Sequence, residues 1–225
     1  MTFRNRLQYL LVVRLQISNK SALNLIFSEK ILVNGIAINA NCEIIETDEV
    51  VFDGKVLQEA KKLVYIAFYK PRGIETTLNE QINDNLKVIL PFKEEVFPVG
   101  RLDKESEGLL LLTNDGKIYD KILRNENKTE KDYIVQVDKI ISAEFIEKMS
   151  SGIMIIGKQT LPCVLVWIDD FTFKITLIQG LNRQIRRMCY KLNYEVLSLK
   201  RTRIGNIHLG DLKAGGYRYT TVQDL

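Results

Sequence analysis

A run of leucines near the middle of the chain constrains the fold more than any other feature. The segment 100–116, GRLDKESEGLLLLTNDG, has four consecutive leucines between Gly108 and the turn residues TNDG. A short apolar run between such breakers is typical of a strand buried on both faces. Asp103 lies in the loop before this strand, so the core would fix the position of its carboxylate. The pattern predicts either a functional carboxylate or a turn residue that pairs with Arg101 or Lys104.

Length and composition are consistent with a core of about 150 residues and a smaller module. The chain has 225 residues, of which 46% are hydrophobic, and a net charge of +4 that says little about partners. Cys42, Cys163 and Cys189 lie far apart without CxxC spacing, which argues against a disulfide framework and a zinc site. We expect a cytoplasmic protein without a membrane span, because no apolar run approaches about 18 residues and no cleavable leader is evident.

The first 62 residues predict a small module of two helices and a few strands. The first helix lies within residues 4–15, and the second runs from about Asn19 to Phe27 with Ser18 as its N-cap. Asn34-Gly35 between apolar residues predicts a hairpin, which the strand EVVFDG follows. We interpret GKVLQEAKK, residues 54–62, as a polar linker. The predicted domains are therefore 1–62 and 63–225.

Positive charge is concentrated on the two predicted helices. Up to position 30 there are five basic residues against one acid, whereas residues 31–62 carry three basic and six acidic residues. Basic residues on one face are typical of contacts with nucleic-acid phosphates. The candidate RNA contacts in this module are Arg4, Arg6, Arg14 and Lys20.

The remainder predicts an α+β domain rich in antiparallel strands with flanking helices. VYIAFYK reads as a strand that enters a turn at Pro71 and Gly73, and Ser142 caps a helix in SAEFIEKMSSG. KDYIVQV alternates as a strand and carries Tyr133. By itself this pattern leaves two interpretations of Tyr133, a ligand-stacking residue or an ordinary strand tyrosine with a buried ring.

A second basic cluster lies between positions 183 and 203. It contains seven basic residues and a single acid, in a predicted helix that begins near Asn182 and in the strand after it. On a helix Arg183 and Arg187 would share one face, whereas Arg186 would point towards apolar neighbours. A partly buried arginine needs a partner, and Asp103 is the candidate. Arg187 could equally belong to a solvated surface.

Three segments of the chain resemble motifs of the pseudouridine synthases. GRLD with SEGLLLLTNDG resembles motif II, EKDYIV resembles the segment with a basic residue two places before tyrosine, and GLNRQIRRM with LKRTRIG resembles motif III. The resemblance is to the branch that contains the small-subunit enzyme A and the large-subunit enzymes B, E and F of ribosomal RNA, and most of all to the F members. It implies the pseudouridine synthase fold, a mostly antiparallel mixed sheet with flanking helices.

The resemblance also implies roles for individual residues. Asp103 would be the catalytic carboxylate, paired with Arg186. Tyr133 and Leu199 would hold the uracil between them, and Arg101 would fill the gap that the flipped nucleotide leaves. Further RNA contacts are expected from Arg183, Arg187, Lys200, Arg201 and Arg203.

Residues 6–54 resemble the αL-type RNA-binding domain first seen in a ribosomal protein of the small subunit. The second helix opens with SNKSA and lacks a basic residue that is usual there, so a purely structural role for this module stays open. The resemblance, taken over the whole chain, implies an isomerase that acts on a uridine in large-subunit (23S) ribosomal RNA. It also implies a monomer that needs no metal, nucleotide or other cofactor. Small-subunit ribosomal RNA, transfer RNA and a non-enzymatic RNA-binding role in ribosome assembly are the alternatives.

Overall fold

The computed structural model describes residues 3–123 and 129–224. It divides into two compact units, Met1–Leu63 and Val64–Leu225. The division falls one residue beyond the boundary expected from the sequence. Within the described residues, no helix is long and apolar enough to cross a membrane.

The first unit packs two helices on a four-stranded antiparallel sheet. Its core contains Leu7, Leu11, Ile26 and Val50, all fully buried. The Ser18 hydroxyl accepts a hydrogen bond from the Ser21 amide at 3.1 Å, so the cap expected for the second helix is present. The elements are α1 (Leu7–Leu15), α2 (Asn19–Phe27), β1 (Ile31–Val33), β2 (Ile36–Ile38), β3 (Val50–Phe52) and β4 (Lys55–Gln58). The order of the strands in the sheet is β2-β1-β3-β4.

Two tight turns define the register of this sheet. Asn34 and Gly35 have φ of 51° and 79°, the left-handed pair that joins β1 to β2. Asp53 and Gly54 make the same kind of turn between β3 and β4. The interpretation of residues 54–62 as a polar linker is therefore wrong for β4, and the Asp-Gly pair was the signal for that hairpin.

The second unit is built on a nine-stranded mixed sheet in the order β11-β12-β8-β13-β7-β5-β15, with β6 paired to β7 and β14 to β13. The expected leucine strand is confirmed, because Leu109 to Leu112 are all fully buried. The strands of this unit are β5 (Tyr65–Lys70), β6 (Phe97–Val99), β7 (Glu107–Thr113), β8 (Lys131–Val137), β9 (Met154–Ile155), β10 (Lys158–Gln159), β11 (Val164–Asp169), β12 (Thr172–Leu177), β13 (Val196–Ile204), β14 (Ile207–His208) and β15 (Tyr217–Tyr219). Of these, β9 and β10 form a separate two-stranded sheet.

Helices cover the sheet and form two apolar clusters with it. Residues of α5 and α6 pack with β8, β12 and β13, and the short α3 packs with β5 and β7. Ser142 caps α5 as expected, by accepting from the Phe145 amide at 3.1 Å. The helices are α3 (Leu86–Ile89), α4 (Gly116–Leu123), α5 (Ala143–Ser151) and α6 (Gln184–Lys191). The polar loop expected after α4 lies partly outside the described residues.

A parallel contact between β7 and β13 lies in the middle of the sheet. Lys200 pairs with Glu107 and Arg201 with Gly108. Gly108 has φ of 104°, and a Cβ there would lie 2.3 Å from the Arg201 carbonyl oxygen. Only glycine fits this close approach. The contact brings β13 beside the strand that follows the Asp103 loop.

Candidate active site

The loop that carries Asp103 is held by hydrogen bonds to its backbone. The buried Thr76 hydroxyl donates to the Leu102 carbonyl at 2.7 Å and accepts from the Leu102 amide at 3.1 Å. The Gly73 amide donates to the Lys104 carbonyl, and the Ser106 amide donates to the Asp103 carbonyl. These contacts come from both sides of Asp103, so the loop has little freedom to move.

The turn at Pro71 and Gly73 is in turn fixed by a buried lysine. Lys70 is fully buried, and its Nζ donates to the Pro71 and Ile74 carbonyls at 2.8 and 2.7 Å. Burial lowers the pKa of Lys70 to about 8. The lysine therefore holds the backbone of the segment that binds the Asp103 loop.

Arg183 forms an ion pair with Asp103. Its Nη1 lies 3.7 Å from Asp103 Oδ2, and the two side chains are 44% and 31% exposed. Arg183 is the N-cap of α6 and has a left-handed backbone, with φ of 51°. The expected pairing of Arg186 with Asp103 is wrong, since Arg186 makes no ion pair in the described part of the chain. The prediction placed Arg183 and Arg186 on different faces of one regular helix, but Arg183 precedes the first helical turn.

Arg186 connects α6 with the Asp103 loop through backbone carbonyls. Its Nη2 donates to the Glu105 carbonyl and its Nη1 to the Val196 carbonyl, both at 3.0 Å. Its Nε is buried without a hydrogen-bond partner. Burial is the main reason why the pKa of Arg186 is lowered, and the nearby Arg183 adds to this. Arg186 thus positions the loop and leaves the Asp103 carboxylate to Arg183.

A pocket of about 430 Å³ opens beside Asp103. Tyr133 and Leu199, from the neighbouring strands β8 and β13, both line it, as does the exposed Arg101. Asp103, Tyr133, Leu199 and Arg101, four of the site residues that the resemblance implies, are therefore brought together. A pyrimidine ring needs an apolar wall and a nearby reactive group, and this pocket has both.

Two further cations, Lys131 and Arg201, line the pocket. Arg201 is only 4% exposed, so the prediction that it contacts RNA from the surface is wrong. Its Nε donates to the Leu109 carbonyl at 2.7 Å, whereas its Nη2 is buried without a partner. Neither Lys131 nor Thr76 was predicted as a site residue from the sequence, although Lys131 is the basic residue of the EKDYIV motif.

Arg203 has a structural partner in place of RNA. Its Nε and Nη2 donate to the two oxygens of buried Asp132 at 2.9 and 2.8 Å, and Nη2 also bonds Glu130. Because Asp132 and Glu130 occupy its guanidinium, we no longer expect Arg203 to contact RNA phosphates. Asp132 also pairs with Lys174 at 2.8 Å.

The other expected RNA contacts have varied surroundings. Arg187 is exposed and bonds Asn182, and Lys200 lies 4.0 Å from Glu107 with its side chain 40% exposed. In the first unit Arg6 is half-buried and donates to the Asn41 carbonyl. Of the other candidate RNA contacts in the first unit, Arg4, Arg14 and Lys20 are exposed.

The described residues contain no cluster of three or more histidine, cysteine, aspartate or glutamate side chains that could hold a metal ion. Cys42, Cys163 and Cys189 are free thiols. The charged side chains that line the pocket are one carboxylate, Asp103, and the cations Arg101, Lys131, Arg183 and Arg201. Such a set suits chemistry in which one carboxylate reacts and cations balance negative charge.

Comparison with known proteins agrees with this geometry. The family model for RNA pseudouridylate synthase matches residues 64–191. The chain is 41% identical over 210 residues to dual-specificity RNA pseudouridine synthase RluF of Salmonella typhi, covering 92% of this chain and 73% of that protein. It is 30% identical over 219 residues to ribosomal large subunit pseudouridine synthase B of Bacillus subtilis, covering 92% and 88%.

A solved structure is also similar. It is described as a crystal structure of pseudouridylate synthase and matches with a TM-score of 0.67 at 26% identity, covering 97% of both chains. These relatives set aside the alternative of a non-enzymatic RNA-binding protein. The chain belongs to the RNA pseudouridylate synthase family, in the branch that contains RluF, and is an isomerase that converts uridine in RNA to pseudouridine.

Proposed function

We propose that Asp103 is the catalytic carboxylate and that a uridine of large-subunit ribosomal RNA is the substrate. The observation that carries the catalytic assignment is the position of the Asp103 carboxylate. It lies beside a pocket with Tyr133 and Leu199 in its walls, and Arg183 lies 3.7 Å away. Arg183 thus places a positive charge beside the carboxylate that the reaction needs.

The proposed chemistry uses Asp103 once the target nucleotide has flipped out of its RNA. The carboxylate acts either as a nucleophile or as the base in an elimination at the sugar, and both routes break the bond between C1′ and N1. The freed uracil turns between Tyr133 and Leu199, and C5 then bonds to C1′. Arg101, which is exposed at the pocket, would occupy the space that the flipped base leaves in the RNA.

The choice of RNA is supported by the relatives. The Bacillus subtilis relative is named for the large subunit of the ribosome, and the Salmonella typhi relative is named as a dual-specificity enzyme. We therefore propose large-subunit ribosomal RNA as the main substrate and transfer RNA as the candidate for a second one. Small-subunit ribosomal RNA is the alternative.

Pseudouridine mapping in host RNA tests the substrate. Ribosomal and transfer RNA would be compared between cells with the gene, cells without it, and cells carrying an Asp103→Asn copy. We expect a position in large-subunit ribosomal RNA to lose its pseudouridine in the last two strains. Loss confined to small-subunit ribosomal RNA would contradict the proposed target.

Substitutions of Tyr133 separate ring stacking from hydroxyl chemistry. We expect Tyr133→Phe to keep the aromatic face and most of the RNA affinity, whereas Tyr133→Leu loses a stacking contact of about 1–3 kcal/mol. The measurement is the single-turnover rate and the RNA dissociation constant of each variant. Parental values in both variants would remove Tyr133 from the site.

We also propose that the first unit is an αL-type RNA-binding domain. Support comes from its order of two helices, a hairpin and further strands, and from the exposed Arg4, Arg14 and Lys20. Replacing these three residues by alanine should lower the slope of log affinity against log salt by about two to three, since each phosphate contact contributes about 0.7–0.9.

The measurement is a salt titration of RNA binding by the full-length protein. Lys55→Ala is the matched control, because this lysine is exposed in the same unit but lies on β4. An unchanged slope in the triple variant would show that the first unit does not touch the RNA backbone.

A further inference from the structure

One wall of the active-site pocket combines an aromatic ring with two cations. Register places Arg201 directly opposite Tyr133 across the pair of β13 and β8. Lys131 precedes Tyr133 by two residues on β8 and therefore points to the same face of the sheet. All three residues line the pocket together with Asp103. A base stacked on Tyr133 would thus lie within reach of positive charge.

Arg201 is an incompletely paired buried cation. Within the described residues, its side chain makes one hydrogen bond, from Nε to the Leu109 carbonyl. Its Nη2 is buried without a partner, although the residue is only 4% exposed. A buried charged group that is only partly hydrogen-bonded costs stability, which makes Arg201 a candidate for a role other than packing.

Lys131 is half-buried beside it. Its Nζ donates to the Thr129 carbonyl at 2.8 Å, which leaves two of the three ammonium hydrogens for other acceptors. Burial and, secondarily, the charge of Arg201 lower the pKa of Lys131 to about 8. The pKa of the amine is therefore lowered towards neutral pH, and no carboxylate of the described residues forms an ion pair with it.

The charged groups nearby do not neutralise this pair. In the described part of the chain no carboxylate lies within ion-pair distance of Lys131 or Arg201. Asp103, the carboxylate that lines the pocket, pairs with Arg183 instead. Asp132 is next in sequence but on the opposite face, where it pairs with Lys174 and Arg203. The strand residues that pair with Lys131, Leu177 on β12 and Ile204 on β13, are apolar. Arg101 adds further positive charge at the pocket.

We propose that Lys131 is a further catalytic residue, which donates a hydrogen bond to a carbonyl oxygen of the target uracil, and that Arg201 reinforces it electrostatically from the same wall. Together they stabilise the negative charge that the uracil acquires when its bond to the sugar breaks. This inference rests on the proposed binding of the base between Tyr133 and Leu199.

The reaction requires such a negative charge to be stabilised. When the C1′–N1 bond breaks, its electron pair stays with the uracil and spreads onto the two carbonyl oxygens. The ring then turns, C5 forms a bond to C1′, the hydrogen on C5 leaves as a proton, and N1 gains a proton. No atoms or electrons are gained overall. Fixed cations stabilise such a charge strongly in a pocket that excludes water.

The first test uses total RNA from host cells that lack the gene, labelled with tritium at C5 of uridine. The label leaves as the C5 proton, so its release measures isomerisation in whichever RNA is the substrate. We expect Lys131→Met to lower the single-turnover rate about 100-fold, the effect of removing one preorganised donor. Lys131→Arg should recover most of that loss. The control is Lys213→Met, which removes an exposed charge outside the pocket.

The second test compares the pH dependence of the single-turnover rate in the parent and in Lys131→Arg, which are both expected to be active. Lys131 is charged below its pKa of about 8 and neutral above it. The parent rate should therefore fall further than the rate of Lys131→Arg as the pH rises through about 8, because guanidinium stays charged. Lys70, whose pKa is also about 8, titrates in both proteins and cancels in the comparison. Ionisation of uridine affects both proteins alike.

The third test separates catalysis by Arg201 from a structural role. Arg201→Met replaces the buried charge by an apolar side chain of similar length, so we expect a Tm no lower than that of the parent and a single-turnover rate at least tenfold lower. A structural role would lower Tm and leave the rate of the folded protein unchanged. A Lys131→Met rate within about threefold of the parent, or identical pH profiles for the parent and Lys131→Arg, would overturn the proposal. If Asp103→Asn lost activity but the Lys131 and Arg201 variants did not, the proposed function would stand and the roles proposed here for Lys131 and Arg201 would be wrong.

Discussion

Asp103→Asn is expected to lower the rate of pseudouridine formation by at least about 10⁴-fold, because an amide can neither attack the sugar nor accept its proton. Folding should be almost unaffected. The lost ion pair with Arg183 is 3.7 Å long and partly exposed, and such pairs contribute less than about 1 kcal/mol. RNA affinity should be equal or slightly higher, since a negative charge is removed near the phosphates. The measurements are tritium release, the RNA dissociation constant and Tm.

The matched control for this variant is Glu105→Gln. Glu105 lies two residues further along the same loop, and its carboxylate pairs with Arg72 at the surface. It removes the same charge without entering the pocket, so its rate should stay within a few-fold of the parent. If Asp103→Asn turned over at the Glu105→Gln rate, another group would have to perform the chemistry.

Gly108→Ala is expected to destabilise the second unit by about 3 kcal/mol or more. Its Cβ would lie 2.3 Å from the Arg201 carbonyl oxygen and 2.7 Å from the Arg201 nitrogen, in a backbone with φ of 104°. Overpacking against a backbone costs about 1–3 kcal/mol, and an unfavourable φ adds about 1–3 kcal/mol. The parallel pairing of β7 with β13 would have to open, which also disturbs the Asp103 loop.

Urea unfolding followed by tryptophan fluorescence measures this effect. Trp167 is the sole tryptophan and lies on β11, so the signal reports the second unit alone. Gly116→Ala is the control, because a Cβ at Gly116 meets no atom within 4 Å and the residue begins α4. We expect that control to be neutral or slightly stabilising. Equal midpoints for the two variants would mean that the close approach at Gly108 is relaxed at little cost.

Local sequence signals predicted many of the elements correctly. The Ser18 and Ser142 caps, the Asn34-Gly35 hairpin and the buried leucine strand all depend on interactions between residues close in sequence. Such interactions are specified by residue type and spacing alone. The assignment of Asp103 as the candidate catalytic carboxylate came from the resemblance to motif II, because spacing by itself left open a turn residue that pairs with Arg101 or Lys104.

Side-chain direction at irregular backbone was not predictable in this way. The sequence treated Arg183 as part of a regular helix, but its left-handed N-cap backbone directs it differently, and it is Arg183 that lies beside Asp103. Arg201 and Arg203 are two residues apart and would share one face of a regular strand. The register shifts between them, so Arg201 lines the pocket while Arg203 pairs with Asp132 on the other face.

Residue types and their order predicted most of the helices, the Asn34-Gly35 turn, the buried strand and the family to which the chain belongs. Only the tertiary structure decided which arginine pairs with Asp103, which arginine is buried, and that Lys131 joins the same wall. The physical reason is distance along the chain: Asp103, Lys131, Arg183 and Arg201 meet only because β13 pairs with both β7 and β8. That pairing depends on packing and on the space at Gly108, which no local pattern encodes.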